Sequence, residues 1–156
     1  MEKKTLPPRS DVPVEETWNL ENVFADVEKW EKAKDEVLDS IPELSNFKGK
    51  LAQGPATLGD YLSLYEAVLR KAQRVMIYGM LESAVDTTNQ SAQARYGQGQ
   101  SVYVRLNAAT SFMNPELMAI GFDKLRQWIQ EEPRLEHLGH FLDELEREEE
   151  HVRSDE

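Results

Sequence analysis

The sequence predicts an all-α protein in which long antiparallel helices pack together, with short helices at one end and an extended, proline-rich arm in front. Two observations support this fold class. Apolar residues recur at helical spacing through most of the 156 residues, and no segment shows the sustained alternation of apolar and polar residues that is typical of strands. Long antiparallel helices bury such apolar faces against one another.

The first 25 residues are predicted to form the arm. Pro7, Pro8 and Pro13 are incompatible with a helix interior and keep the preceding residues extended. The segment also carries large apolar side chains, and we expect Trp18 and Leu20 to pin it to the helical body, which we place at residues 26–150.

The first two helices are predicted from periodicity and from end signals. Helix 1 is expected to begin near Asp26 and to end or kink at Pro42, with a kinked continuation to about Lys48. Helix 2 is expected to begin at the capping box Thr57-Leu-Gly-Asp60 and to run to about Ala84. Its second half, Val75-Met-Ile-Tyr-Gly-Met-Leu81, is almost entirely apolar, which predicts that protein surrounds it on every side.

A turn at Asp86-Thr-Thr-Asn89 should lead into helix 3, from about Gln90 to Met113. Each of the glycines at 97 and 99 costs about 1 kcal/mol in a helix interior relative to alanine. Close packing against helix 2 explains them, and a local break is the alternative. Asn114 is predicted to cap the next helix, Gly121 to stop it, and residues 122–131 to form a short helix before Pro133.

The last helix is predicted over residues 134–150. It is followed by a solvated tail, residues 151–156, leading toward a missing downstream domain.

Composition and charge exclude several classes of protein. The chain has no cysteine, which removes disulfide frameworks, thiolate metal sites and cysteine nucleophiles. A net charge of −11 disfavours nucleic acid and anionic membranes as partners. The apolar run at 75–81 is shorter than the roughly 20 residues that span a bilayer, and the start has no secretory signal, so we expect a cytoplasmic protein.

The candidates for metal chemistry are few. His137 and His140 stand three residues apart, and two ligands without a convergent third make a weak site. Glu148 and His151 have the Glu-x-x-His spacing of carboxylate-bridged di-metal bundles, but those sites need two copies and two further glutamates. A polar helix edge and a charged tail are the alternative interpretations.

Three further patterns favour structural roles. Gly97-Gln-Gly99 lies within a helical pattern and follows no strand, which excludes a dinucleotide fingerprint. The cations Arg70, Lys71 and Arg74 are predicted to form a solvated face. The five tyrosines follow core spacing, although a minority of their hydroxyls could line a groove: Tyr61, Tyr65, Tyr78, Tyr96 and Tyr103. We therefore assign no catalytic, cofactor-binding or metal-binding residue in this chain.

The order of landmarks is informative. Trp18-Asn-Leu20 follows a proline-rich start, Trp30 lies in a charged helix, and Phe47-Lys-Gly-Lys-Leu51 precedes a long helix with Tyr78. Then come Asp86 at a turn, Phe112-Met-Asn-Pro-Glu116 and a final leucine-rich helix that closes with Arg147-Glu-Glu-Glu-His151. From about Val14 to Glu156 this series resembles the N-terminal region of oligoendopeptidase F, a thimet-oligopeptidase-like zinc metallopeptidase.

The resemblance implies that the catalytic part and the helical N-terminal part of the peptidase have different roles. Such peptidases hold zinc through a downstream His-Glu-x-x-His helix and a later glutamate, and this chain has neither. Zinc is therefore expected in a catalytic part that is missing here, and that part and short peptides are the expected partners. The helical N-terminal part is expected to cover a deep cleft and to be inactive alone.

Three hypotheses follow. The first is this cleft-covering domain, which should leave an apolar patch of several hundred Å² exposed in isolation. The second is a stand-alone acidic helical binding or adaptor module with a closed core. The third is a metal-bearing bundle built from Glu148, His151, His137 and His140.

Overall fold

The structure is a computed structural model that describes residue 7 and residues 11–153, without the side chains of 14 and 148–153. The regular structure of this described part is entirely helical, so the predicted all-α class is confirmed. The six α-helices are α1 Val27–Ser45, α2 Pro55–Val85, α3 Gln90–Thr110, α4 Met113–Ile120, α5 Phe122–Glu131 and α6 Leu138–Arg153. Short 3-10 turns occur at Val14–Glu16, Leu20–Asn22, Leu51–Gln53 and Pro133–Leu135.

The chain divides into two compact units. The first unit comprises Met1–Ser40 and Leu69–Leu106, and the second comprises Ile41–Val68 and Asn107–Glu156. Helices α1, α2 and α3 each contribute residues to both units.

In the first unit α2 and α3 run antiparallel at very short range. A Cβ atom added at Gly79 would lie 2.7 Å from the backbone nitrogen of Tyr96, and one added at Gly99 would lie 2.8 Å from Cα of Met76. Close packing therefore explains Gly99, as the first interpretation of the sequence proposed, whereas nothing lies within 4 Å of a Cβ added at Gly97. Glycine is needed at positions 79 and 99 because any side chain there would separate α2 from α3.

The core of the first unit is centred on Trp30 of α1, whose side chain is buried. Its indole N–H donates to the backbone oxygen of Val75 at 2.8 Å, which satisfies the one polar atom of the side chain. The core cluster consists of Trp30, Ala33, Val75 and Tyr78, with Leu20, Val23 and Phe24 packed against it.

The structure differs from the sequence expectation at Trp18. Its side chain is 68% exposed, whereas Leu20 packs on the core cluster as expected. The 3-10 turn at residues 20–22 brings Leu20, Val23 and Phe24 to the core, and Trp18 precedes this turn. Apart from position 7, residues 1–10 lie outside the described part, as do residues 154–156, so the division into arm, domain and tail stays a prediction.

In the second unit Tyr61 is the centre of an aromatic cluster. Its ring centroid lies 5.6 Å from that of Phe47, 5.9 Å from Tyr65 and 5.5 Å from Phe112. Glu116 of α4 accepts hydrogen bonds from the backbone nitrogens of Gly49 at 2.6 Å and Leu51 at 3.2 Å. This carboxylate fixes the loop after α1, because charged acceptors bind backbone N–H groups strongly.

The helix starts and stops were predicted with mixed success. The Asp26 cap is confirmed, since its Oδ1 accepts from Lys29 N at 2.8 Å, and Gly121 ends α4 with a φ of 90°. The capping box at Thr57 is wrong, because α2 already begins at Pro55, where proline suits the first turn. Asp60 instead forms an ion pair with Arg134 at 2.6 Å.

Three other boundaries shift. Helix α1 continues through Pro42, as the expected continuation requires, but ends at Ser45, before Lys48. Helix α4 begins at Met113, before the predicted cap at Asn114. The last helix begins at Leu138 rather than Arg134, because residues 133–135 form a 3-10 turn in which Glu132 accepts from Arg134 N. Within the described residues no helix is both long and apolar enough to cross a membrane.

Candidate functional site

The histidines do not form a metal site together. His137 lies in the turn before α6, and His140 lies on α6, where its Nε2 is 3.7 Å from an oxygen of Glu144. Both histidine side chains are exposed. The side chains of Glu148 and His151 lie outside the described residues, so the Glu-x-x-His hypothesis stays a prediction.

A resident zinc ion would need three or more protein ligands that converge. Among the side chains that the structure describes, no group of three His, Asp or Glu residues could hold a metal ion. The described side chains therefore do not form a zinc site, and the resemblance implies zinc in the missing catalytic part and not among these residues.

The basic cluster on α2 binds other parts of the first unit. Lys71 pairs with Glu36 of α1 at 2.5 Å, which lowers the pKa of the Glu36 carboxyl mainly through the hydrogen bond. Arg74 donates to the backbone oxygen of Val23 and lies 5.1 Å from the ring centroid of Phe24. The predicted solvated face is therefore partly wrong, because Arg74 fixes the segment before α1.

The tyrosines mostly pack in the cores, as predicted. Tyr61 and Tyr78 are buried, and Tyr65, Tyr96 and Tyr103 are half-buried. The hydroxyl of Tyr61 is buried without a hydrogen-bond partner among the described atoms, and burial raises the pKa of this hydroxyl. A tyrosine that is buried from water in this way is a packing residue of the second unit.

One face of α2 is less covered than the sequence predicts. Val75 and Tyr78 are buried, but Ile77 is 37% exposed and Met80 is 39% exposed. The two residues are three apart and share one helical face. The prediction that protein surrounds this half of α2 on every side is wrong for the described residues, because they leave Ile77 and Met80 more than a third exposed.

A half-buried ion pair also joins α2 and α3, the two helices that approach closely at Gly79 and Gly99. Arg95 of α3 donates through Nε and one terminal nitrogen to the two carboxylate oxygens of Glu82 of α2, both at 2.6 Å. The side chains are 17% and 20% exposed, and the hydrogen bonds raise the pKa of Arg95. This bidentate geometry fixes α3 against α2 in one register.

The first unit also has a polar cavity between α1 and α3. Its volume is about 190 Å³, and it is lined by Lys34, Leu38, Gln98, Ser101, Val102 and Arg105. Sequence reasoning missed it, because Lys34 and Arg105 stand 71 positions apart and neither belongs to a motif. The helical spacing of Gln98, Ser101 and Arg105 was the one signal that placed three of them together.

Comparison with known proteins gives three related results. The family model described as Oligopeptidase F matches residues 116–156. Oligopeptidase PepF of Bacillus subtilis is 36% identical over 156 residues, covering 99% of this chain and 23% of that protein. Group B oligopeptidase PepB of Streptococcus agalactiae is 25% identical over 146 residues, covering 94% of this chain and 24% of that protein.

A solved structure shares the fold. The crystal structure of oligoendopeptidase-F from Enterococcus faecium aligns with 77% of this chain and 24% of that chain, with a TM-score of 0.71 and 24% identity. The chain thus spans about a quarter of the length of the relatives it matches.

These similarities define the class of the chain as a helical domain of a peptidase. More particularly, the chain is related to oligoendopeptidase F, and it corresponds to an N-terminal domain of an oligoendopeptidase F-like enzyme. The resemblance drawn from the sequence is confirmed.

Proposed function

We propose that this domain covers the cleft in which an oligoendopeptidase F-like enzyme hydrolyses short peptides, and that it is not catalytic by itself. The catalytic groups and the zinc ion belong, in this proposal, to the remainder of the same peptidase. Two facts support it: the relatives are named as oligopeptidases, and the chain corresponds to about a quarter of their length. The cytoplasmic location stays a prediction.

The observation that carries the proposal is the partly exposed face of α2 that Ile77 and Met80 form. A helix that is apolar on all sides is normally enclosed by protein, yet Ile77 and Met80 are more than a third exposed. Burying an apolar side chain of this size stabilises an interface by about 1.5–3 kcal/mol when burial is complete. We infer that the remainder of the peptidase packs on this face and thereby fixes the domain over the cleft.

The experiment is a chimera. In the Bacillus subtilis PepF, the matching segment is replaced by this chain, and hydrolysis of a short quenched fluorescent peptide is measured. We expect activity within about tenfold of the parent, because a correctly seated cover preserves the cleft. The 156-residue chain alone, with added zinc, should give no turnover, and zinc-dependent turnover by the chain alone would overturn the proposal.

A substitution tests the face directly. Met80→Asp in the chimera would bury a charge at the interface, which is costly without a partner, so peptide hydrolysis should fall at least about tenfold. Ala94→Asp, which adds the same charge at an exposed position of α3, is the matched control and should change little. Equal activity of both variants would show that the peptidase does not pack on this face, as a stand-alone binding module would require.

A further inference from the structure

The cavity between α1 and α3 is lined by two cations in a strongly acidic chain, and one of them, Lys34, also pairs with Asp35 at 3.6 Å. Lys34 and Arg105 both line it, although the chain as a whole carries a net charge of −11. Two cations beside one concave surface attract an anionic group more strongly than scattered surface cations do. The cavity is therefore a candidate binding site for an anion.

The two cations are held in different ways. Lys34 is 20% exposed, and its Nζ donates to Oε1 of Gln98 at 3.4 Å, lies 3.6 Å from Oδ1 of Asp35 and lies 5.3 Å from the ring centroid of Trp30. These contacts fix the ammonium group at the cavity edge. Among the described residues, the guanidinium of Arg105 has no hydrogen bond or ion pair, so all of its donors are available to a ligand.

The size and lining of the cavity narrow the class of ligand. Its volume of about 190 Å³ is below the ~300–1,000 Å³ that drug-sized ligands and cofactors occupy, so it fits about one amino-acid residue. Leu38 and Val102 supply an apolar wall, while Ser101 supplies a hydroxyl. A planar carboxylate matches the forked donors of an arginine, and an aliphatic side chain matches the apolar wall.

We propose that this cavity binds a carboxylate of a short peptide, with Arg105 as the main donor, Lys34 as the second cation and the apolar wall against the adjoining side chain. The proposal rests on the proposed function, because it makes the domain a contributor to peptide binding as well as a cover.

The experiment measures binding to the 156-residue chain itself by amide NMR. The probes are acetyl-Ala-Leu with a free carboxylate, the same dipeptide with a C-terminal amide, and acetyl-Ala-Glu-amide. We expect the free acid to shift the amide signals of Gln98, Ser101 and Arg105, and the Leu amide to bind at least about tenfold more weakly, as the loss of a charged hydrogen bond predicts. Binding of the Glu probe as well would support the proposal by showing that the cavity also binds a side-chain carboxylate.

Two variants locate the site. Arg105→Gln should weaken binding of the free acid at least about tenfold, whereas Lys29→Gln, an equal change of net charge at an exposed position of α1, should leave it within about twofold. Circular dichroism verifies that both variants fold. If Arg105→Gln does not fold, Lys34→Met replaces it as the variant that removes a cation from the cavity.

Equal binding of acid and amide, no signal shift up to about 10 mM probe, or equal effects of the two glutamine variants would overturn the proposal. Because the readout is binding to this chain, such a failure leaves the chimera's peptidase activity unaffected, and the two proposals fail separately.

Discussion

The two units of the chain hold their helices together in different ways. In the first unit, a Cβ added at Gly79 or Gly99 would meet backbone atoms of the facing helix at 2.7 and 2.8 Å. In the second unit, a Cβ added at Gly59 of α2 would meet the end of the Arg134 side chain at 3.0 Å. A guanidinium can rotate away, but backbone atoms move only with their helix, so the first unit has the more rigid helix contact.

The largest effect expected from adding a single methyl group comes from Gly79→Ala or Gly99→Ala. Each should destabilise the chain by about 3 kcal/mol or more, because the added methyl group forces α2 and α3 apart. Chemical denaturation monitored by circular dichroism measures the change in the free energy of unfolding.

The controls for this prediction lie in both units. Gly97→Ala has open space around it and should stabilise α3 by up to about 1 kcal/mol, the ordinary gain in helix propensity. Gly59→Ala should fall between no effect and a similar gain, because Arg134 can adjust. If Gly79→Ala changed the free energy of unfolding as little as Gly59→Ala, the helix contact of the first unit would not be the more rigid one.

The buried aromatic residues provide a second contrast. Trp30 in the first unit has its indole N–H satisfied by Val75, whereas Tyr61 in the second unit has a buried hydroxyl without a partner among the described atoms. A satisfied polar tip contributes to stability, and an unsatisfied one costs about 1–3 kcal/mol of desolvation.

Trp30→Phe should therefore destabilise the first unit by about 2 kcal/mol, through the lost hydrogen bond and the space left by the smaller ring. Trp18→Phe is the matched control, since Trp18 is 68% exposed, and it should change the free energy of unfolding by less than about 0.5 kcal/mol. Denaturation followed by far-ultraviolet circular dichroism compares the two without using tryptophan fluorescence. Similar losses in both variants would mean that Trp18 is buried in solution.

Tyr61→Phe should have the opposite sign. Removing the unpartnered hydroxyl while keeping the ring should stabilise the second unit by about 1 kcal/mol, measured by the same denaturation. Tyr61→Ala should destabilise it by about 3–5 kcal/mol, because the ring packs against Phe47, Tyr65 and Phe112. A loss of stability in Tyr61→Phe would show that the hydroxyl has a partner such as a buried water molecule.

The sequence predicted the helices well and their surroundings less well. Apolar periodicity located α2 and α3, and the helix ends predicted at Gly121 and before Pro133 are correct, because these signals are local. The capping box at Thr57 is wrong because α2 already begins at Pro55, two residues earlier, directly after Gly54. Two signals for a helix start that lie this close together compete, and apolar periodicity alone does not say which of them begins the helix.

The candidate sites depend on tertiary placement. Apolar residues at 77 and 80 indicate a preference for burial, but the pattern does not say which element supplies it, and the described residues bury these two side chains only in part. Lys34 and Arg105 are brought together by the packing of α1 and α3, which no local pattern encodes. Gly99, by contrast, was interpretable, because a glycine in a helix interior has few explanations other than close approach.

The smallest expected effect concerns the ion pairs. In the first unit Glu82 and Arg95 pair at low exposure, whereas in the second unit the more exposed Arg134 pairs with both Glu132 and the exposed Asp60. The hydrogen bonds from Arg134 lower the pKa of Glu132 from 4.5 to about 2. Because the folded state lowers this pKa, the stabilisation is complete above about pH 4.5 and is lost as the pH falls toward 2.

Carboxyl NMR titration should therefore find Glu132 still ionised at pH 3, with a midpoint near 2. Arg134→Gln should return the midpoint toward 4.5, because the hydrogen-bond donors are lost. Arg126→Gln is the matched control: it removes the same charge from a pair with Asp143 and Glu146 in the same unit and should leave Glu132 unchanged. A wild-type midpoint near 4.5 would mean that Arg134 and Glu132 do not pair in solution.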